Sequence, residues 1–129
     1  MPINETILTP AVYDQLRQAM VADPEGFVAL YRDYLAGAWE ALQCLGEHIH
    51  QNHFGPVQAK AHYLKSSSLV LGAHDVARRA SLVEQAAIAG NLKDAGSLLD
   101  NMRQALRDVQ SELASRLGAN VIPPNEAAA

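Results

Sequence analysis

Residues Ala61–Ala73 read AHYLKSSSLVLGA. The apolar spacing is that of a buried helix, yet the run carries a histidine, a lysine and three consecutive serines. At 3.6 residues per turn each position rotates by about 100°. Val57, Ala61, Leu64, Ser68 and Leu71 then fall within roughly 80° of one another and form an inward stripe. His62 lies roughly 140° from the centre of that stripe, Ser66 roughly 180° and Leu69 roughly 120°. Lys65 sits on the flank between core and solvent, one turn from His62. The segment is a helix whose histidine points away from the core, among small or cationic neighbours.

Working outward, the flanking sequence is also punctuated as helices. Thr9-Pro10 reads as an N-cap followed by proline at the first helical position, opening a short helix to about Val21 with Val12, Leu16 and Ala19 or Met20 inward. Asp23-Pro24 repeats the signal. It starts a long amphipathic helix with Phe27, Leu30, Tyr31, Tyr34, Leu35, Ala38, Leu42 and Leu45 at spacings of three and four. Gly55-Pro56 opens the third helix and Gly72 closes it. A fourth runs from about Asp75 to Ala89 on a stripe of Val76, Ala80, Val83 and Ala87, until Gly90-Asn91 breaks it. The fifth covers about Leu92 to Leu117, with Leu92, Ala95, Leu99, Met102, Leu106, Val109 and Leu113 inward.

No stretch alternates with period two between turn signals, so no sheet is expected. Short loops between long helices predict an all-α, antiparallel four-helix bundle with an additional short N-terminal helix. The expected organisation is an N-terminal extension over 1–8, the bundle over 9–117 and a flexible Pro- and Ala-rich tail over 118–129. No internal repeat is evident.

Composition limits what such a bundle does. With 129 residues, 49% of them apolar, the chain makes one domain with a single core. The net charge of −4 and the scattered Lys and Arg argue against nucleic acid as a partner. Cys44 is the only cysteine, which rules out an internal disulfide and a cysteine-based zinc site. "MPINETILTP" lacks the charged and apolar regions of a secretion signal, and nothing approaches the ~20 apolar residues of a membrane span. A cytoplasmic protein is expected.

An outward histidine with a clear approach path acts as a nucleophile through a ring nitrogen. A lysine one turn away screens the charge of a phosphoryl group placed on it. An exposed imidazole, a nearby cation and room for a second protein are what a phosphate carrier needs. The plain alternative is that His62 is a solvated surface residue.

The residues also resemble a known family. AHYLKSSSLVLGA is similar to the signature of histidine phosphotransfer (HPt) domains, the four-helix bundles of phosphorelays. That pattern has a His, a Lys three positions on, then Gly and two small residues, with a Gly-Ala-like pair about ten residues after the His. Here the matching positions are His62, Lys65, Ser66, Ser67, Ser68, Gly72 and Ala73. RRASLVEQAAIAG resembles the family's following helix, with Glu84 and Gln85 where an acidic or amide residue is usual, and DPEGFVALYRDYL resembles the start of its second helix. The likeness spans about Thr9 to Leu113. It departs at Ser66, where glycine is most frequent, and serine is small enough to keep the approach open.

The resemblance implies a relay with no ATP site. Response-regulator receiver domains, alone or in a hybrid sensor kinase, are the implied partners. A receiver brings a phospho-aspartate and Mg²⁺, His62 accepts the phosphoryl group through Nε2 and passes it to another receiver aspartate. Lys65 assists electrostatically, and Glu84 or Gln85 hydrogen-bonds the imidazole or the phosphate. The chain's own glycines support the missing kinase half, because Gly26, Gly37 and Gly46 are isolated and match no nucleotide loop. No cofactor or metal is expected on the chain itself, and a monomer is expected.

Other features are weighed against plain readings. Arg78 and Arg79 are solvated residues or contacts to a receiver's acidic pocket, Arg78 the better of the two only if it faces His62. Leu69, Val70 and Ala59 form a docking patch if exposed. Trp39 reads as a partly buried packing residue, and His74 as part of the fourth helix's cap. His48, His50 and His53 end the second helix. His50 and His53 reach one metal if that helix continues, but no carboxylate or cysteine completes the set except Glu47, and histidines suit a helix C-terminus in any case. A start at Met1 just before the first helix points to a free-standing protein, although the end of a hybrid kinase reads the same. The rival functions are a bundle that docks a receiver without transfer, and a metal-binding bundle built on those three histidines.

Overall fold

The computed structural model describes residues 2–124. Five α-helices follow in order: α1 (Pro10–Ala19), α2 (Pro24–His50), α3 (Phe54–Val70), α4 (His74–Ile88) and α5 (Ala95–Leu117), then a 3₁₀ turn at Ala119–Val121. Among the described residues there is no strand. Helix α2 packs on α3 and α5, and α4 packs on the same two, so the four long helices close a ring with α1 against α2. The joints after α2 and α3 are three residues long, which forces antiparallel neighbours.

The closest pairing is α3 with α4. Its cause is side-chain size: Ala61 and Ser68 on α3 face the core with Ala77, Ala80 and Ala87 on α4, all buried. Small residues let helix axes approach, and this is where His62 and Glu84 meet. The α3 stripe read from the sequence is the buried one, with Val57, Ala61, Leu64 and Ser68 at 0% exposure and Leu71 at 6%. The stripes of α2, α4 and α5 are likewise buried, except that Leu30 and Leu92 are only half-buried.

Polar groups inside the bundle are paired. Tyr31 donates its hydroxyl to the Leu71 carbonyl at 3.0 Å, and the Tyr34 hydroxyl lies 2.7 Å from Ser68 Oγ. Trp39 is more deeply placed than its sequence position suggests, at 5% exposure. Its Nε1–H donates to Gln110 Oε1 at 2.8 Å, a buried link between α2 and α5. No buried side-chain nitrogen or oxygen among the described residues lacks a partner, as interiors require.

Differences from the sequence expectation sit at the ends. Helix α1 turns Tyr13 inward, onto Phe27 and Tyr31 at ring-centroid distances of 5.3 and 5.9 Å, while Val12 and Leu16 are half-buried and Ala19 is exposed. A ten-residue helix laid over a bundle end buries only a narrow strip, and the aromatic ring takes it. Thr9 precedes α1 but makes no side-chain cap; its Oγ1 instead lies 3.0 Å from His74 Nδ1. Helix α5 starts three residues after the expected Leu92.

The stretch expected to be a flexible tail is ordered in its first part. Val121 is fully buried, and Arg32 Nη1 on α2 donates to the Asn120 carbonyl at 3.2 Å. Residues 125–129 of that stretch lie outside the described residues. The N-terminal extension is engaged too, since Leu8 is fully buried and Ile3 and Ile7 pack on the core. Segments this short have no helical period, so their apolar residues carried no signal.

Candidate functional site

His62 stands eight residues into α3, on the face turned towards α4, with its side chain 64% exposed. Ser66, one turn further on, is exposed as well. The ring's Nδ1 lies 2.8 Å from Oε2 of Glu84 on α4. An ionised carboxylate only accepts hydrogen bonds, so Nδ1 carries the proton and donates it. In the neutral ring the lone pair is then on Nε2. A buried acceptor on a neighbouring helix thus fixes both the tautomer and the orientation of an exposed imidazole.

Glu84 is the anchor. Its side chain is only 8% exposed, and a carboxylate so placed needs donors to offset its desolvation. It has two, both from α3: His62 through Oε2, and Lys65 Nζ 3.5 Å from Oε1. The lysine, 34% exposed, keeps its ammonium between the carboxylate and solvent, one turn from the imidazole. A nucleophilic nitrogen, a carboxylate behind it and a cation beside it therefore share one shallow surface.

The structure brings together His62, Lys65 and Glu84 and leaves other candidates apart. Gln85, the alternative to Glu84, is exposed and outside this network. Helical phase could have decided between them. Position 84 lies next to core Val83 and one turn from core Ala80, whereas 85 is rotated a further 100° towards solvent. Arg78 is six residues before Glu84, about 9 Å away along the axis, and binds Asp75 Oδ1 at 2.6 Å, with Arg79 Nε on Asp75 Oδ2 at 3.2 Å. Burial pushes the Asp75 carboxyl up, but the hydrogen bonds from Arg78 and Arg79 outweigh it and hold the group below its ordinary value.

Around the histidine the surface is open and partly apolar. Leu69 is 46% exposed and Val70 69%, and Ala59 is exposed, so the three residues read as a docking patch all reach the surface. Tyr63, which follows His62, adds a half-exposed ring. Its hydroxyl lies against α2 at Gly37, where a Cβ would come within 2.8 Å of the oxygen. A shallow cleft of about 360 Å³ lined by Leu30, Asp33, Tyr34, Tyr63, Ser67 and Val70 runs beside it. No helix among the described residues is long and apolar enough to cross a membrane.

His48 and His53 are adjacent at the α2–α3 corner, their Nδ1 atoms 3.4 Å apart. Helix α2 stops at His50, so His50 and His53 do not share a helical face. Among the described residues no group of three His, Cys, Asp or Glu side chains converges as a metal site.

Comparison with known proteins bears on the fold and the family. No curated protein matches the chain significantly in sequence. The solved structure of histidine-containing phosphotransfer protein B (HptB) from Pseudomonas aeruginosa PAO1 superposes with a TM-score of 0.80, covering 86% of this chain and 94% of that one at 21% identity. At that identity the likeness carries the fold. The sequence model of the Hpt domain matches residues 29–112, well over half of the chain and including His62, Lys65 and Glu84: the chain belongs to the Hpt domain family.

Proposed function

We propose that this protein is a phosphorelay intermediate that takes a phosphoryl group onto His62 from a receiver aspartate and gives it to another. The observation that carries the reading is the hydrogen bond from His62 Nδ1 to buried Glu84, which leaves Nε2 as the free, outward-facing nitrogen.

The reaction follows from that placement. The Nε2 lone pair attacks the phosphorus of an aspartyl phosphate in line, and the bond to the acyl oxygen breaks with its electron pair left on the receiver's carboxylate. The imidazole becomes a phosphorylated cation, still bearing its Nδ1 proton, and the Glu84 carboxylate 2.8 Å away offsets the new positive charge. Lys65 neutralises the phosphoryl oxygens on the solvent side. Mg²⁺ comes with the receiver. The reverse step returns the electron pair of the N–P bond to Nε2 and needs no rearrangement of this chain. Leu69, Val70 and Tyr63 supply apolar contact around the site, and Ser66 keeps the path to Nε2 low. A cytoplasmic location follows from partners of this kind.

The test is phosphotransfer from a panel of radiolabelled phospho-receivers to the intact chain and to His62→Gln. Acid-labile, alkali-stable label on the parent and none on the variant is the expected result. Label persisting on the variant moves the acceptor to another histidine. No label from a receiver that demonstrably binds would instead make the protein a docking module without transfer.

A further inference from the structure

Three consecutive serines follow Lys65, and the protein itself occupies the hydroxyls of the last two. Ser67 turns its Oγ–H back onto the Leu64 carbonyl at 3.2 Å, a common habit of serine within a helix. Ser68 is fully buried, with Oγ 2.7 Å from the Tyr34 hydroxyl. Ser66 differs from both. It is exposed, and its hydroxyl has no hydrogen-bond partner among the described residues.

The orientation of His62 decides which side of the ring a bound group occupies. Nδ1 is turned to Glu84 on α4, 2.8 Å away. The two nitrogens of an imidazole point in nearly opposite directions, so Nε2 points away from Glu84. Lys65 is drawn to the other side, its Nζ 3.5 Å from Glu84 Oε1. Helical phase sets Lys65 about 60° from His62 on the α4 flank and Ser66 about 40° from it on the opposite flank. Residues one turn apart have Cβ atoms about 5–6 Å from each other. Side chains on a helix lean towards its N-terminus, which for Ser66 is the direction of His62.

We infer that the Ser66 hydroxyl donates a hydrogen bond to a phosphoryl oxygen carried on His62 Nε2. The inference rests on the proposed function for the group that His62 carries. The charged side chains paired at the ring are Glu84 from α4 and Lys65 from α3, and they face each other. A phosphoryl group on Nε2 therefore meets the lysine on one flank and the serine hydroxyl on the other. An O–H donor to an anionic oxygen is among the stronger hydrogen bonds. Glycine at this position would leave the approach equally open but offer no side-chain donor.

The experiment needs no receiver. Phosphoramidate transfers its phosphoryl group to imidazoles with loss of ammonia, and the ³¹P resonance absent from His62→Gln identifies phospho-His62. That resonance is followed through the second ionisation of the phosphoryl group in the full-length parent, Ser66→Ala and Ser66→Thr. A donor to the dianion holds its pKa down. Ser66→Ala should therefore raise the pKa, weakening the acid constant by about two- to tenfold, the size of one net hydrogen bond. Ser66→Thr keeps a hydroxyl and should match the parent. An alanine value equal to the parent's, or a threonine value equal to the alanine's, overturns the role of Ser66 and leaves the proposed function standing. A Ser66 effect in a protein that no binding receiver phosphorylates would overturn the proposed function alone. A His62 that takes no phosphoryl group even from phosphoramidate would overturn both.

Discussion

At the scale of single residues, the site depends on one buried carboxylate reaching an exposed ring. Glu84→Ala should remove the acceptor for Nδ1–H and let the proton populate Nε2, the nitrogen that attacks in the proposed transfer. A hydrogen bond to a charged group is worth about 1.5–3 kcal/mol, which corresponds to about 10–100-fold in single-turnover transfer from a phospho-receiver. Glu84→Gln still accepts the hydrogen bond but cannot offset the cationic ring, so its rate should fall between parent and alanine variant. The tautomer read by ¹H–¹⁵N spectra should change in Glu84→Ala alone. Equal rates in all three proteins would reduce Glu84 to a packing role. The sequence displayed His62 and Lys65 because their spacing places them on one face of one helix. Glu84 over Gln85 was legible in the phase of α4 itself; that Glu84 comes to lie behind His62 depended on how α4 packs on α3, which no single-helix pattern contains.

At the scale of elements, the stops organise the bundle. Helices α2, α3 and α4 end alike, in a left-handed residue followed by an N–H that reaches back to an earlier carbonyl: Asn52 with His53, Gly72 with Ala73, and Gly90 with Asn91. The two glycines were legible as stops because glycine takes positive φ without steric cost. Asn52 was not, since asparagine occupies that region only locally and is common elsewhere. Gly72 is the most constrained of the three. Its φ is +84°, and a Cβ there would lie 3.1 Å from the Val12 side chain. Gly72→Ala should lower unfolding free energy by about 1–3 kcal/mol in urea denaturation; an unchanged midpoint would mean that α1 shifts freely off the joint. On α3 itself Leu64 is fully buried two residues from His62. Leu64→Ala should cost about 2–5 kcal/mol by the same measurement.

For the whole molecule, the ring of α2, α3, α4 and α5 is completed by segments that are not part of the period. Val121, after α5, is fully buried, and its turn is held to α2 by Arg32. A chain ending at Leu117 should unfold about 1.5–3 kcal/mol more easily, the value of burying one valine, with transfer to His62 little affected below its unfolding midpoint. An unaltered stability would show that the turn covers surface the bundle does not need covered. The sequence by itself determined the helical class, the order of five helices, the buried stripes of the four long ones and the outward direction of His62. All of these follow from periodicity and local start and stop chemistry along one chain segment. Only the tertiary structure decided which carboxylate lies behind the imidazole, that Trp39 and Gln110 pair inside the core, that Tyr13 covers the bundle end, and that His48 meets His53 and not His50. Each of these is a contact between segments, set by how closely small-residue faces approach and how each turn reverses the chain.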